Sequence, residues 1–226
     1  MISLKTDLFN LFRSILKLII FEKLIRYFSK GKDPSHFISK LCPNNYQYKL
    51  GTIRKFKHNG VVLEVDIYDY VGHYLYFGFK DKAHKALYSL INENDNIIDV
   101  GTNIGSTILQ FANLSGKKSR IIGFEPDPIN FKECQKNISL NQFKNIEILP
   151  IGLGNEKGSF HLIVDEPSNR GRNRVSIEKQ PEKSSTTVKI ETLDSIVSSE
   201  KINRVNLIKI DVEGFEMNVL KGALKL

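Results

Sequence analysis

From residue 96 onward the chain alternates short apolar runs with segments of helical periodicity, and this alternation restricts the fold more than any other feature. The runs fall at 96–100, 120–124, 146–149 and 205–210. Helical patterns over about 104–114 and 128–141 separate the first three, and another helix follows the last. Apolar runs of this kind are buried on both faces, so the alternation predicts βαβ units and an α/β fold in which helices cover a parallel sheet. The stretch between the third and fourth runs is too long for one crossover helix. It holds two more strand-like pieces, 159–164 and 186–190, around a polar loop at 165–185, then a short helix near 193–197.

The residues before this pattern read differently. Segments 46–57 and 61–68 are rich in β-branched and aromatic side chains, and His58-Asn59-Gly60 between them signals a hairpin turn. Tyr68, Tyr70, Tyr74, Tyr76, Phe77 and Phe79 form an aromatic-dense stretch, suited to a packing seam first and to a substrate pocket second. A helix is expected over about 82–91. The chain therefore divides into an N-terminal helical and hairpin appendage, residues 1–94, and a domain over 95–226.

The net charge of +8 is unevenly spread. Through His58 there are 12 Lys and Arg against 3 Asp and Glu, whereas residues 59–226 carry 21 against 22. A basic appendage on a neutral body argues against a nucleic-acid partner and for a local role at an anionic surface or in assembly. Residues 8–28 alternate Leu, Ile and Phe with Arg13, Lys17, Glu22, Lys23 and Arg26, which interrupt every apolar run well short of a membrane span. The segment reads as an amphipathic helix. Docking on the domain or self-association is the commoner use of such a helix, with a peripheral membrane interface as the alternative. No secretory leader is evident, and Cys42 and Cys134 have neither C-x-x-C nor zinc spacing, which leads to a cytoplasmic expectation. The sequons at Asn113 and Asn137 are taken as chance.

The strongest chemical signal is the apolar strand that ends in Asp99 and passes through Gly101 and Gly105 into a helix. Two glycines in such a turn let a ligand approach the backbone, and the helix start favours negative groups. The spacing is G-x-x-x-G, which departs from the dinucleotide fingerprint G-x-G-x-x-G and argues against a nicotinamide enzyme. Glu125 closes the next strand, where an acidic side chain in a nucleotide-binding βαβ unit reaches the ribose hydroxyls. A lone Glu at a strand end is usually solvated, but one after a Gly-rich first turn is a ribose acceptor by position.

Three elements in order, IIDVGTNIG at 97–105, GFEPDPINF at 123–131 and LIKIDVEGFEMNVLKG at 207–222, make the chain resemble the FkbM family of S-adenosylmethionine-dependent methyltransferases. The resemblance implies a Rossmann-like class I methyltransferase sheet. It implies S-adenosylmethionine as cofactor, with Asp99, Gly101, Asn103 and Gly105 around its methionine part and Glu125 on its ribose. It also implies methylation of oxygen on a small-molecule or glycan substrate such as a sugar or secondary metabolite. Carboxylates after the fourth strand face the crevice where such sheets bind ligands. Asp211 or Glu213 is thus the candidate to accept a hydroxyl proton, and Asp211 the candidate to help hold a divalent cation, although no clear ligand set supports a metal. Capping of the following helix is the competing use for Asp211 and Glu213, and a place on its surface for Glu216. Arg170, Arg172 and Arg174 lie where a lid would be and could grip an acidic sugar, although a solvated loop is the commoner use.

Methyltransferases of this fold carry about three more strands after the one in the IDVEG element, so the last strands of the sheet are expected to be missing and 205–210 to form an edge. The alternative to an active enzyme is accordingly a truncated remnant that binds the cofactor without turnover.

Overall fold

The computed structural model describes residues 10, 11, 13–163, 168–172, 174–176, 185–200, 202 and 204–226. Most of the polar loop at 165–185, and the side chains of Arg172 and Arg174, lie outside them, as do Leu8 and Phe12.

The alternating pattern folds as anticipated. Strands β3 (Ile97–Val100), β4 (Ile121–Phe124), β5 (Ile146–Leu149) and β10 (Leu207–Ile210) form one parallel sheet in the order β10-β3-β4-β5. Helix α5 (Ser106–Ser115) carries the chain from β3 to β4, and α6 (Pro128–Ser139) from β4 to β5. β3 and β4 are buried along their whole length, which is why they read as apolar runs, Asp99 in β3 apart. Ile97, Ile108, Phe111, Ile121 and Cys134 form the core on one side. Ile98, Val100, Ile122, Phe124 and Leu193 form it on the other. Among the described residues β10 pairs only with β3, so it is an edge strand.

The long stretch between β5 and β10 builds a second sheet. β6 (Gly152–Leu153), β9 (Ser185–Glu191), β7 (Gly158–Ile163) and β8 (Arg174–Ser176) lie in that order, parallel between β6 and β9 and antiparallel elsewhere. Helix α7 (Leu193–Ser199) then leads to β10, and α8 (Glu216–Lys221) follows it.

The hairpin is shorter than its β-rich composition suggested. β1 (Ile53–His58) and β2 (Val61–Asp66) pair antiparallel across Asn59 and Gly60, both at positive φ. Residues 46–52 are not strand, because Asn45–Gln47 forms a 3-10 turn in which the Gln47 side chain accepts from the Asn44 N–H at 2.9 Å. β2 lies against α6. Asn137 Oδ1 accepts from Glu64 N at 2.7 Å, and Asn141 accepts from Val62 N and donates to Val62 O, each at 2.9 Å. The buried Asn137 also donates to Ile104 O at 2.8 Å, which ties the hairpin to the turn after β3. The sequon at Asn137 is thus a packing element.

Helix α3 (Tyr70–Phe77) starts on Asp69, whose carboxylate accepts from Val71 and Gly72 N–H, and ends on Gly78 at φ +67. Helix α4 (Lys82–Tyr88) starts on Asp81 in the same way and stops before the expected residue 91. The aromatic stretch divides between the two uses foreseen for it. Tyr76 and Phe77 are buried in the core, whereas Tyr70, Tyr74 and Phe79 line a groove of about 1510 Å³ with Tyr88, His84 and Ser106.

At the N-terminus, residues 10, 11 and 13–15 are helical, the chain turns over 16–18, α1 runs Ile19–Ser29, and a short α2 follows at Phe37–Leu41. Helix α1 docks on the body of the protein, as one of the expected uses had it, but through a largely polar face. Glu22 and Ser29 are buried with Ile25, while Ile20, Leu24 and Tyr27 face out. Among the described residues no helix is long and apolar enough to cross a membrane.

Candidate functional site

Parallel strands end together, so the loops after β3, β4 and β10 meet at one rim and leave a crevice of about 650 Å³. Gly101, Asn103, Glu125, Asp211 and Glu213 all line it, with Pro126, Asn130, Leu153, Leu162 and Phe215. The expected cofactor and catalytic residues are therefore together, apart from Asp99 and Gly105, which lie behind the wall.

The turn after β3 needs its glycines. Gly101 has φ +79, and a Cβ there would stand 2.1 Å from Asp211 O. Gly105 has φ +88, and its Cβ would meet Cys134 Sγ at 2.8 Å. Asn103 between them has φ +50, a conformation Asn tolerates because its short polar side chain bonds locally. Here Asn103 Oδ1 accepts from Ile104 N at 2.7 Å.

The Glu125 carboxylate is bound on both oxygens by backbone. Oε2 accepts from Asn103 N at 2.7 Å and Oε1 from Asp127 N at 3.0 Å. Burial raises its pKa to about 7, against the lowering effect of those two N–H groups. Each oxygen keeps a second lone pair, so the group can still accept hydroxyl hydrogen bonds. Asp127 itself caps α6, accepting from Ile129 and Asn130 N–H.

Asp99 is fully buried, and Lys209 on the neighbouring strand lies directly across from it in register. The Lys209 ammonium is 3.1 Å from Asp99 Oδ1 and 3.7 Å from Asp211 Oδ2, and it donates to Gly101 O at 2.7 Å. Burial raises the Asp99 pKa, Lys209 opposes the shift, and Asp211 adds to it. The Lys209 ammonium engages Oδ1 alone, and Asp99 Oδ2, Thr102 Oγ1 and Asn130 Oδ1 are buried without a hydrogen bond among the described residues. Three polar side chains left partly unsatisfied around one turn are the kind of surplus a polar ligand consumes.

Beyond β10, Asp211 N donates to Val100 O at 3.1 Å and extends the ladder by one bond. Glu213 at φ +48 and Gly214 at φ +90 make a sharp left-handed turn into α8. The capping duty there falls to Glu216, whose Oε1 accepts from Gly214 N at 3.0 Å, so α8 does not use Asp211 or Glu213 as caps. Both carboxylates are exposed at the rim. A non-glycine residue in that conformation is strained, and such strain gathers at ligand sites.

Of the three loop arginines, Arg170 is the one whose side chain lies within the described residues. Arg170 lines the crevice, but its guanidinium is held by Glu133 at 2.8 and 3.1 Å, and its backbone N–H donates to Asp69 Oδ2 at 2.9 Å. Lys209 and Asn130 are site residues that sequence reasoning passed over. A lysine inside the otherwise apolar LIKI run was the available signal for the first, since a charge at that depth requires a partner. Asn130 had none. Among the described residues no three His, Cys, Asp or Glu side chains cluster as metal ligands.

The sequence matches the methyltransferase FkbM domain over residues 99–226. It is 32% identical over 130 residues to the hexuronic acid methyltransferase AglP of Haloferax volcanii, a match covering 58% of this chain and 50% of that protein. It is 29% identical over 160 residues to the 2-O-methyltransferase NoeI of Sinorhizobium fredii, covering 62% and 63%. Methyltransferase 1 of Beauveria bassiana is 29% identical over 143 residues, covering 56% and 57%. The chain thus spans about half the length of AglP and somewhat more of the other two. With a domain match over more than half of its residues, running through all three motif regions and their crevice, the chain belongs to the FkbM methyltransferase family.

Proposed function

We propose that the crevice binds S-adenosylmethionine and that the protein transfers its methyl group to a hydroxyl of a sugar or related small molecule. The observation that carries this reading is the Glu125 carboxylate. It is buried at the tip of β4, fixed by two backbone N–H groups, and placed on the crevice wall beside the Gly101–Gly105 turn. Glu125 would accept the two ribose hydroxyls, and the apolar wall of Leu153, Leu162 and Phe215 suits the adenine ring. Asn130, whose side-chain oxygen is unsatisfied, lies with Asn103 and Asp211 on the crevice wall where an amino-acid moiety would sit, and the Lys209–Asp99 pair supports the turn from behind. When bound, the sulfonium supplies an already activated methyl group, so the chain's task is alignment and removal of one proton.

Asp211 and Glu213 are the two carboxylates at the rim, and either is placed to accept that proton as the hydroxyl oxygen takes the methyl group. Asp211 stands 3.7 Å from the Lys209 ammonium, whereas Glu213 sits on a left-handed turn at φ +48. The wider groove lined by Tyr70, Tyr74 and Phe79 begins at Ser106, beside the cofactor turn, and its aromatic faces suit a sugar ring. AglP and NoeI, named for a hexuronic acid and a 2-O position, support oxygen as the acceptor. The division at residue 94 belongs to the same proposal, with residues 95–226 binding the cofactor and 1–94 forming the acceptor side.

The test is transfer of labelled methyl from S-adenosylmethionine to a panel of uronic acids and neutral sugars. Asp211→Asn or Glu213→Gln should cut turnover by about 10²–10⁴ while leaving cofactor affinity within about threefold. Cofactor binding without transfer to any member of the panel would support the non-catalytic alternative.

A further inference from the structure

Helix α1 is turned inside out. A helix on a protein surface normally buries its apolar stripe and exposes its polar one, whereas α1 buries Glu22 and Ser29 with the single apolar Ile25 and exposes Ile19, Ile20, Phe21, Leu24, Tyr27 and Phe28. The exposure is large, with Ile20 at 75%, Leu24 at 52% and Tyr27 at 76%. Leu11, Ile15 and Leu18 extend the apolar surface towards the N-terminus.

Specific polar contacts hold this orientation. Arg54 grips the fully buried Glu22 carboxylate through Nε at 2.7 Å and Nη2 at 3.0 Å, and Tyr76 OH donates to the same group at 2.8 Å. Arg26 donates to Tyr76 O at 2.6 Å, with its guanidinium 4.9 and 4.7 Å from the Phe56 and Tyr76 ring centres. Ser29 Oγ donates to Phe77 O at 3.0 Å. Rolling the helix to bury its apolar face would break all of these and strand Arg54. The outward face is therefore built in.

The charge around it is one-sided. Lys23, Lys30, Lys32, Lys40, Lys49, Lys55 and Lys57 are exposed, and between residues 10 and 58 Asp33 is the one exposed acid among the described residues. Lys23 and Lys30 lie one helical step to the side of the apolar face, where they would stand at headgroup level if that face entered a bilayer. An apolar helix face carrying exposed aromatics and bordered by lysines is the pattern of an interfacial helix on anionic lipid. A self-pairing face with this charge would bring two basic surfaces together.

We infer that α1 and the turn before it dock the protein on an anionic lipid surface, apolar side chains entering the acyl boundary and lysines meeting the headgroups. This does not depend on methyl transfer. The test is co-sedimentation of the full chain with phosphatidylcholine vesicles, with and without phosphatidylglycerol, alongside its mass in solution by light scattering. The expected result is binding at least about tenfold stronger to the phosphatidylglycerol vesicles, and weakened by raising salt from about 0.1 to about 0.5 M. Ile20→Glu/Leu24→Glu, or Phe21→Ser/Tyr27→Ser as a second pair, should abolish binding while circular dichroism is unchanged, since all four residues are exposed. A monomer that ignores both vesicles overturns the inference. So does equal binding to neutral vesicles, or a dimer that the variants dissociate and that does not bind lipid.

Discussion

Lys209→Met removes the ammonium that faces Asp99 and tests whether that pair holds the site together. The side chain is 10% exposed and its partner carboxylate 0%, so the pair lies in a region of low screening. At 3.1 Å an effective dielectric near 20 gives an attraction of about 5 kcal/mol before the cost of burying the lysine. Breaking a buried pair by deleting one partner costs about 3–5 kcal/mol. Asp99 has an escape, because it can take up a proton. Relative to an unfolded carboxyl with a pKa of 3.8, that limits the penalty to about 4 kcal/mol at pH 7 and under about 2 kcal/mol at pH 5. The sign follows from the raised Asp99 pKa. A carboxyl that holds its proton more tightly when folded loses stability as pH rises above its unfolded value, and the variant widens that window upward. Losing the hydrogen bond to Gly101 O adds about 1 kcal/mol at either pH. Urea unfolding at pH 5 and pH 7 should therefore show a penalty larger by up to about 3 kcal/mol at the higher pH. Asp99→Asn/Lys209→Met should recover most of it. A small, pH-independent penalty that simply adds to that of Asp99→Asn would refute the pairing.

Two other substitutions probe the same rim. The raised pKa of Glu125 means that wild-type stability falls as pH rises from about 4.5 to about 7, by about 3 kcal/mol in total. Glu125→Gln cannot titrate and should flatten that slope in denaturation measured at pH 5 and pH 8. Its single carbonyl can serve only one of the Asn103 and Asp127 N–H groups, which leaves a buried donor costing about 1–3 kcal/mol. Gly101→Ala meets both a left-handed φ and the Asp211 carbonyl at 2.1 Å, whereas Gly214→Ala at φ +90 meets open space. Thermal unfolding should thus separate them, with Gly214→Ala losing about 1–2 kcal/mol from backbone strain alone and Gly101→Ala clearly more.

The parts of the fold that were legible in the sequence are those where one local rule decides. β3 and β4 are apolar because both faces are covered, and Gly101 and Glu125 stand at their tips because parallel strands end on the ligand side. What escaped depends on residues far apart in sequence. Lys209 became intelligible only when the register set it against Asp99, on a strand far away in chain order. The inverted α1 could not be read from its periodicity, which specifies that two faces differ and not which one packs. That choice is made by Arg54 and Tyr76, and both act on Glu22 from other elements. The second sheet was seen only as isolated strand-like pieces, since the pairing of β9 with both β6 and β7 joins segments that the sequence separates.

The central claim is that the crevice at the ends of β3, β4 and β10 binds S-adenosylmethionine through Glu125, and calorimetric titration of the cofactor into the purified full chain tests it most directly. The account predicts one saturable site per chain with a Kd of about micromolar order, near −8 kcal/mol, weakened about tenfold or more in Glu125→Gln with the fold intact. No binding to the wild-type protein at millimolar cofactor, or unchanged affinity in the folded variant, would contradict it.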